Sequence, residues 1–94
     1  MSETGWDVES RDGFATAKWR LATFPLVSDM IQATKRGALT QREAAWDMEP
    51  RKCTTLTLEQ AMKLAKALRV ARYHPENSAP QTFRVVKHGQ VILV

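Results

Sequence analysis

One cysteine stands in the whole chain, Cys53, so no disulfide closes within it and no thiolate framework is available for a metal. Histidine is nearly as scarce, with His74 and His88 the only two. A zinc site needs about four Cys, His, Asp or Glu ligands at short spacings, and this set does not supply them. The four glycines, at positions 5, 13, 37 and 89, are isolated from one another. That excludes a glycine-rich loop cradling phosphate ahead of a helix. No apolar run approaches the roughly 18 residues that span a bilayer, so no membrane partner is expected. The opening residues MSETGWDVES are acidic and polar, unlike a secretory signal or transit peptide. A reducing, cytoplasmic setting is therefore expected.

The same scarcities bear on catalysis. Cys53 has the basic neighbours Arg51 and Lys52, but no spacing brings His74 or His88 to it as a base. Glu3, Asp7, Glu9 and Asp12 read as exposed positions near a turn rather than as an acid–base pair. The expectation is a protein that is not an enzyme and uses no cofactor.

What is present is a length of 94 residues, enough for one domain over 1–94 with a modest core. The formal net charge of +4 is unevenly placed. Residues 1–34 carry three basic and five acidic side chains, whereas residues 35–72 carry nine basic and four acidic. A surplus concentrated in the middle of the chain suits DNA or an acidic protein surface, and equally a solvated lysine-rich helix face.

Local patterns predict the elements. Asp12-Gly13 is a two-residue hairpin turn signal. Pairing about it sets Trp6 against Trp19, Val8 against Ala17 and Asp7 against Lys18. A helix follows from about Phe24 to Arg36, capped by Thr23, with Pro25 in its first turn, Leu26, Val27, Met30 and Ile31 as its apolar face and Gly37 as its stop. Thr40-Gln41-Arg42-Glu43 is a capping box that opens a second helix, closed near Met48 by Pro50. Thr57-Leu58-Glu59-Gln60 is another, opening the longest helix, which runs to about Tyr73. Leu58, Ala61, Met62, Ala65 and Leu68 form its predicted buried stripe, while Lys63, Lys66, Arg69 and Arg72 slant around the other side. The alanines at 61, 65, 67 and 71 permit close packing. The terminal stretch TFRVVKHGQVILV predicts a second hairpin turning at His88-Gly89, with Val86 against Val91, Val85 against Ile92 and Phe83 against Val94. Its apolar residues on both faces point to a central sheet position or an interface. The expected class is α+β: an N-terminal hairpin, three helices and a C-terminal hairpin, ββ-ααα-ββ, with an antiparallel sheet packed on helices.

Residues 27–70 carry KRGALTQREAA at one end and LTLEQAMKLAKALRV at the other, and this stretch resembles the phage-repressor (Cro/C1-like) helix-turn-helix family. Ala44 and Ala45 match its small helix-contact positions, and Met48 and Leu58 match buried ones. Glu49 stands where the family's turn carries glycine, and Thr55 where an apolar residue packs. The spacing between the two ends is shortened, so the recognition helix is either missing or merged with the last helix.

The resemblance implies a DNA-associated regulator. In the merged arrangement Arg51, Lys52, Thr54, Thr55 and Thr57 approach DNA, with Lys63 and Lys66 on phosphates, and Arg42 and Arg69 extend the same basic surface. Trp46 is expected as a half-buried aromatic and the best candidate for a partner anchor. The alternative function is a protein-binding inhibitor or adaptor, of the kind a phage or mobile element encodes to block a host complex. A homodimer through the C-terminal hairpin is compatible with either function.

Overall fold

A computed structural model describes residues 4–13, 16–22, 26–42, 56–76 and 80–94. Within them run strands β1 (Thr4–Arg11) and β2 (Arg20–Leu21), helix α1 (Val27–Lys35), strand β3 (Leu56–Thr57), helix α2 (Leu58–Ala71), and strands β4 (Thr82–Lys87) and β5 (Gln90–Leu93). All strand pairings are antiparallel, in the order β2-β1-β4-β5, with β3 also joined to β1. One edge of β1 is taken by β4, from Asp7 opposite Val86 to Arg11 opposite Thr82. The other edge is divided between β3, beside Thr4 and Trp6, and β2, beside Glu9 and Ser10.

Strand alternation sends Trp6, Val8 and Ser10 of β1 to the inner face, beside Phe83 and Val85 of β4 and Leu56 of β3. The helices cover this face. From α2, Ala61, Leu64, Ala65, Ala67, Leu68 and Ala71 are buried against the sheet and α1. Met30 and Ala33 of α1 complete the core. All four alanines expected to permit close approach on the longest helix are thus inside, and their small side chains let α2 sit low on the sheet. Among the described residues no helix is long and apolar enough to cross a membrane.

The C-terminal hairpin has the expected register, with Val86 opposite Val91 and Val85 opposite Ile92. Val94 N–H donates to the Phe83 carbonyl at 3.0 Å and extends it. His88 and Gly89 take φ of 45° and 84°, which is the left-handed pair that a two-residue turn of matching twist requires. The Thr57 capping box is also formed. Thr57 Oγ1 accepts from Gln60 N–H at 3.2 Å, and Gln60 Oε1 accepts from Thr57 N–H at 3.0 Å.

Three expectations need correction. The ββ-ααα-ββ arrangement is not matched: among the described residues there are two helices, not three, and β3 stands between them. Leu56, fully buried beside Trp6, pulls the segment before α2 into an extended, sheet-paired conformation. Of the helix expected over residues 40–48, Gln41 and Arg42 are helical and the remainder from Glu43 lies outside the described residues.

The N-terminal strands do not pair around Asp12-Gly13 as a tight hairpin. Glu9 lies opposite Leu21 and Ser10 opposite Arg20, and Ala22 N–H donates to the Val8 carbonyl at 2.7 Å. The register has moved by five places. An odd shift exchanges the faces of the second strand, and it brings buried Ala22 beside Val8 in place of Ala17. Trp6, expected against Trp19, faces Leu56 instead.

The third correction concerns α1, whose buried residues are Asp29, Met30 and Ala33. Leu26, Val27 and Ile31 of the expected apolar face remain 66%, 59% and 44% exposed. The reason is electrostatic. Asp29 Oδ2 accepts from Arg72 Nη2 at 2.8 Å and Nε at 3.3 Å, which rolls the carboxylate toward α2. Asp29 Oδ2 also accepts from Leu26 N–H at 3.3 Å, satisfying one of the open donors at the helix start. Arg72 Nη1 donates to Gln81 Oε1, and Gln81 Nε2 to Asp12 Oδ1. A polar relay therefore ties α1, α2, the approach to β4 and the end of β1.

A second arginine works in the opposite sense. α1 closes through Gly37, φ 80°, with Gly37 N–H on the Thr34 carbonyl and Ala38 N–H on the Ala33 carbonyl. This turn holds Arg36 at the end of α2, where its Nη1 donates to the carbonyls of Val70 at 2.6 Å and Tyr73 at 2.9 Å. Those carbonyls lie at the end of α2, where a guanidinium suits the negative end of the helix dipole.

Two outcomes follow for stability. Gly37→Ala meets no atom within 4 Å of its new Cβ, yet it must hold a left-handed φ. It should lose about 1 kcal/mol in urea denaturation. A double-mutant cycle over Asp29→Ala and Arg72→Ala should return a coupling of about 1–2 kcal/mol. Additive losses would show that the bridge does not join the helices.

Candidate functional site

The longest helix sets the first candidate surface. On α2 the buried positions occupy one side, and Leu58, Glu59, Lys63, Lys66 and Arg69 are exposed on the other. Lys63, Lys66 and Arg69 recur every three residues, so they trace a slanting row over about 9 Å of axial rise. Glu59 precedes Lys63 by four residues, the favourable order for a helix pair. Arg72, expected in the same row, is turned inward to Asp29 and Gln81 and does not belong to the surface.

Of the other expected contact residues, Arg42 is exposed. Arg51, Lys52, Thr54 and Thr55 lie outside the described residues, as do Trp46 and Cys53. Thr57 is half-buried and its hydroxyl oxygen caps α2, so its side chain serves the fold. The structure therefore brings Lys63, Lys66 and Arg69 onto one face and takes Thr57 and Arg72 away from it. His74 and His88 are exposed in separate turns.

Sequence reasoning missed a shallow groove of about 420 Å³ at the end of α2, lined by Arg36, Arg69, Val70, Tyr73 and Pro75. Its floor is apolar and its rim cationic. Arg36 reaches it from the end of α1 through its bond to the Val70 carbonyl, and no local pattern announces a contact across 34 positions.

It also missed the outer face of the sheet. There Leu21, Glu9, Arg84 and Leu93 stand side by side on β2, β1, β4 and β5. Arg84 Nε donates to Glu9 Oε1 at 2.7 Å. The Trp19 ring has the guanidinium carbons of Arg84 and Arg11 at 4.1 and 4.9 Å from its centre, so two cations lie against one aromatic. Leu21 is 61% exposed, Val91 51% and Leu93 74%. The parity of residues 84, 86, 91 and 93 was the available signal, because in the hairpin register they share one face.

The two surfaces differ in chemistry. The α2 side offers exposed basic side chains beside a groove lined by Arg36, Arg69, Val70, Tyr73 and Pro75. The outer sheet face offers aliphatic side chains around an internally paired Arg84–Glu9 unit. Among the described residues, neither contains a nucleophile with a base beside it. No family model matches this chain, and neither a curated protein nor a solved structure matches it.

Proposed function

We propose that this is a small, non-enzymatic, cytoplasmic protein that associates with DNA, laying the outer side of α2 along the phosphate backbone. The observation that carries this is the exposed row of Lys63, Lys66 and Arg69 on a helix whose other side is buried. The helix fixes the spacing of the backbone positions that carry these cations, and cations that reach phosphates displace condensed counterions on binding. Arg42 and the basic pair Arg51-Lys52 belong to the same stretch of sequence and augment the charge. Because α2 packs against the sheet and α1, it lies on the duplex surface, and contact is chiefly with phosphates.

A second reading, a protein-binding inhibitor or adaptor, is favoured by the exposed Leu21, Val91 and Leu93 on the sheet's outer face. Aliphatic side chains grouped beside a neutralised charge pair suit an interface core.

Duplex binding measured across a salt series separates the two. Three phosphate contacts give a log–log slope near −2.7, about −0.9 for each. Lys66→Ala with Arg69→Ala should flatten that slope by about 1.8 and leave the melting temperature unchanged within about 2 °C. A slope unaltered in the double variant, or no binding to random duplex at low salt, removes α2 from the interface.

A further inference from the structure

The edge of β5 has a bonding pattern that points to its occupant. In an antiparallel ladder, directly opposed residues alternate between pairs that exchange two hydrogen bonds and pairs that exchange none. Val94 N–H bonds the Phe83 carbonyl, so the Phe83–Val94 pair is of the first kind, as are Val85–Ile92 and Lys87–Gln90. Val91 and Leu93 belong to the second kind. Their N–H and C=O groups point away from β4, and no strand among the described residues lies there. Their side chains, 51% and 74% exposed, project on the outer face beside Val86 and Arg84.

The two edges of the sheet are unlike. β2 is two residues long, and Lys18 and Arg20 beside and within it are exposed cations, which discourage strand addition. β5 is Gln-Val-Ile-Leu, with no charge, no proline and no bulge. An edge so bare is a template for pairing.

We propose that β5 pairs with β5 of a second copy of this chain, antiparallel about a two-fold axis at Ile92. This dimer does not depend on the DNA reading and stands or falls separately from it. A second copy is selected by the symmetry of the free groups. With the axis at Ile92, Val91 meets the partner's Leu93 and Leu93 meets the partner's Val91. Both are bonding pairs, so all four outward groups of each copy are satisfied at once. Moving the axis to Val91 sets Leu93 against the partner's Gly89, which lies in the hairpin turn, and leaves part of each edge unbonded.

Charge agrees with that choice. Each copy carries a formal net +4, and Lys63, Lys66 and Arg69 are exposed on α2. β5 is where two copies meet without placing like charges opposite one another. Across the junction the outer face reads Glu9, Arg84, Leu93, the partner's Val91 and the partner's Val86. The paired charges stay at the flank and the aliphatic side chains come together. The two sheets become one.

A four-residue junction is small beside the standard protein interface, so the dimer should be concentration-dependent. Sedimentation from about 5 µM to about 1 mM should show the mass rise from 10.6 kDa toward twice that value. The Val91 and Leu93 amides should become protected from hydrogen exchange over the same range. Val91→Lys with Leu93→Lys should raise the dissociation constant at least tenfold. Leu93→Pro removes one outward donor that the β4–β5 ladder does not use, so it should also weaken the dimer while the hairpin persists. Leu21→Lys, on the far edge, should leave association unchanged. A monomer at the highest concentration overturns the proposal. So does a dimer in which the Val91 and Leu93 amides exchange freely, or one indifferent to Leu93→Pro.

Discussion

The rest of the structure depends on β1 being paired along both edges. Its residues Asp7 to Arg11 face β4 on one side, and the strand meets β3 and β2 in succession on the other. A strand in that position has little freedom of register, since a one-place slip would carry Trp6 and Val8 from the core to solvent. With β1 fixed, Leu56 has a defined place beside Trp6, Ala22 beside Val8, and Phe83 and Val85 on the far side. The inner face these residues form is the floor on which α2 rests. The exposed row on α2 points outward because its opposite side has that floor to pack against.

The parts that could be read from the sequence are those whose causes are local. The His88-Gly89 turn sets its own register, because two adjacent left-handed residues admit one closing pair. The Thr57–Gln60 cap likewise involves residues three apart. The first strand's partner was misread because Asp12-Gly13 offers the same local cue as the true turn, while the deciding contacts, Trp6 with Leu56 and Val8 with Ala22, come from further away. The roll of α1 was hidden for the same reason. Leu26, Val27 and Ile31 make a better apolar stripe than Met30 and Ala33, and the balance is tipped by Arg72, 43 positions from Asp29. Of the candidate surface, the lysine row on α2 was visible from its spacing, but nothing local distinguished Arg72, turned inward, from Arg69, exposed in the same helix turn.

Charge is segregated through the thickness of the molecule. In the sheet, Arg84 is matched by Glu9 and stacked against Trp19. Between the helices Arg72 is matched by Asp29, and Arg36 is spent on the carbonyls at the end of α2. These three arginines thus take joints between elements, where a planar fork with several donors can bind more than one acceptor. Lysines 63 and 66 occupy the outer helical surface, on flexible stems that carry a compact charge. One face is therefore a surface of charge and the other a surface of shape.

The Glu9–Arg84 pair joins residues 75 positions apart, and it lies inside the longest ladder of the sheet. During synthesis β1 emerges well before β4, so the strand at the centre of the sheet waits until the residues between them are made before it meets its main partner. Closing so wide a loop costs entropy before any contact compensates for it. Such a topology folds slowly for its size. Until the ladder closes, the apolar residues of β1 lack Phe83 and Val85 beside them, which makes the nascent chain, rather than the finished domain, the state most exposed to misassociation.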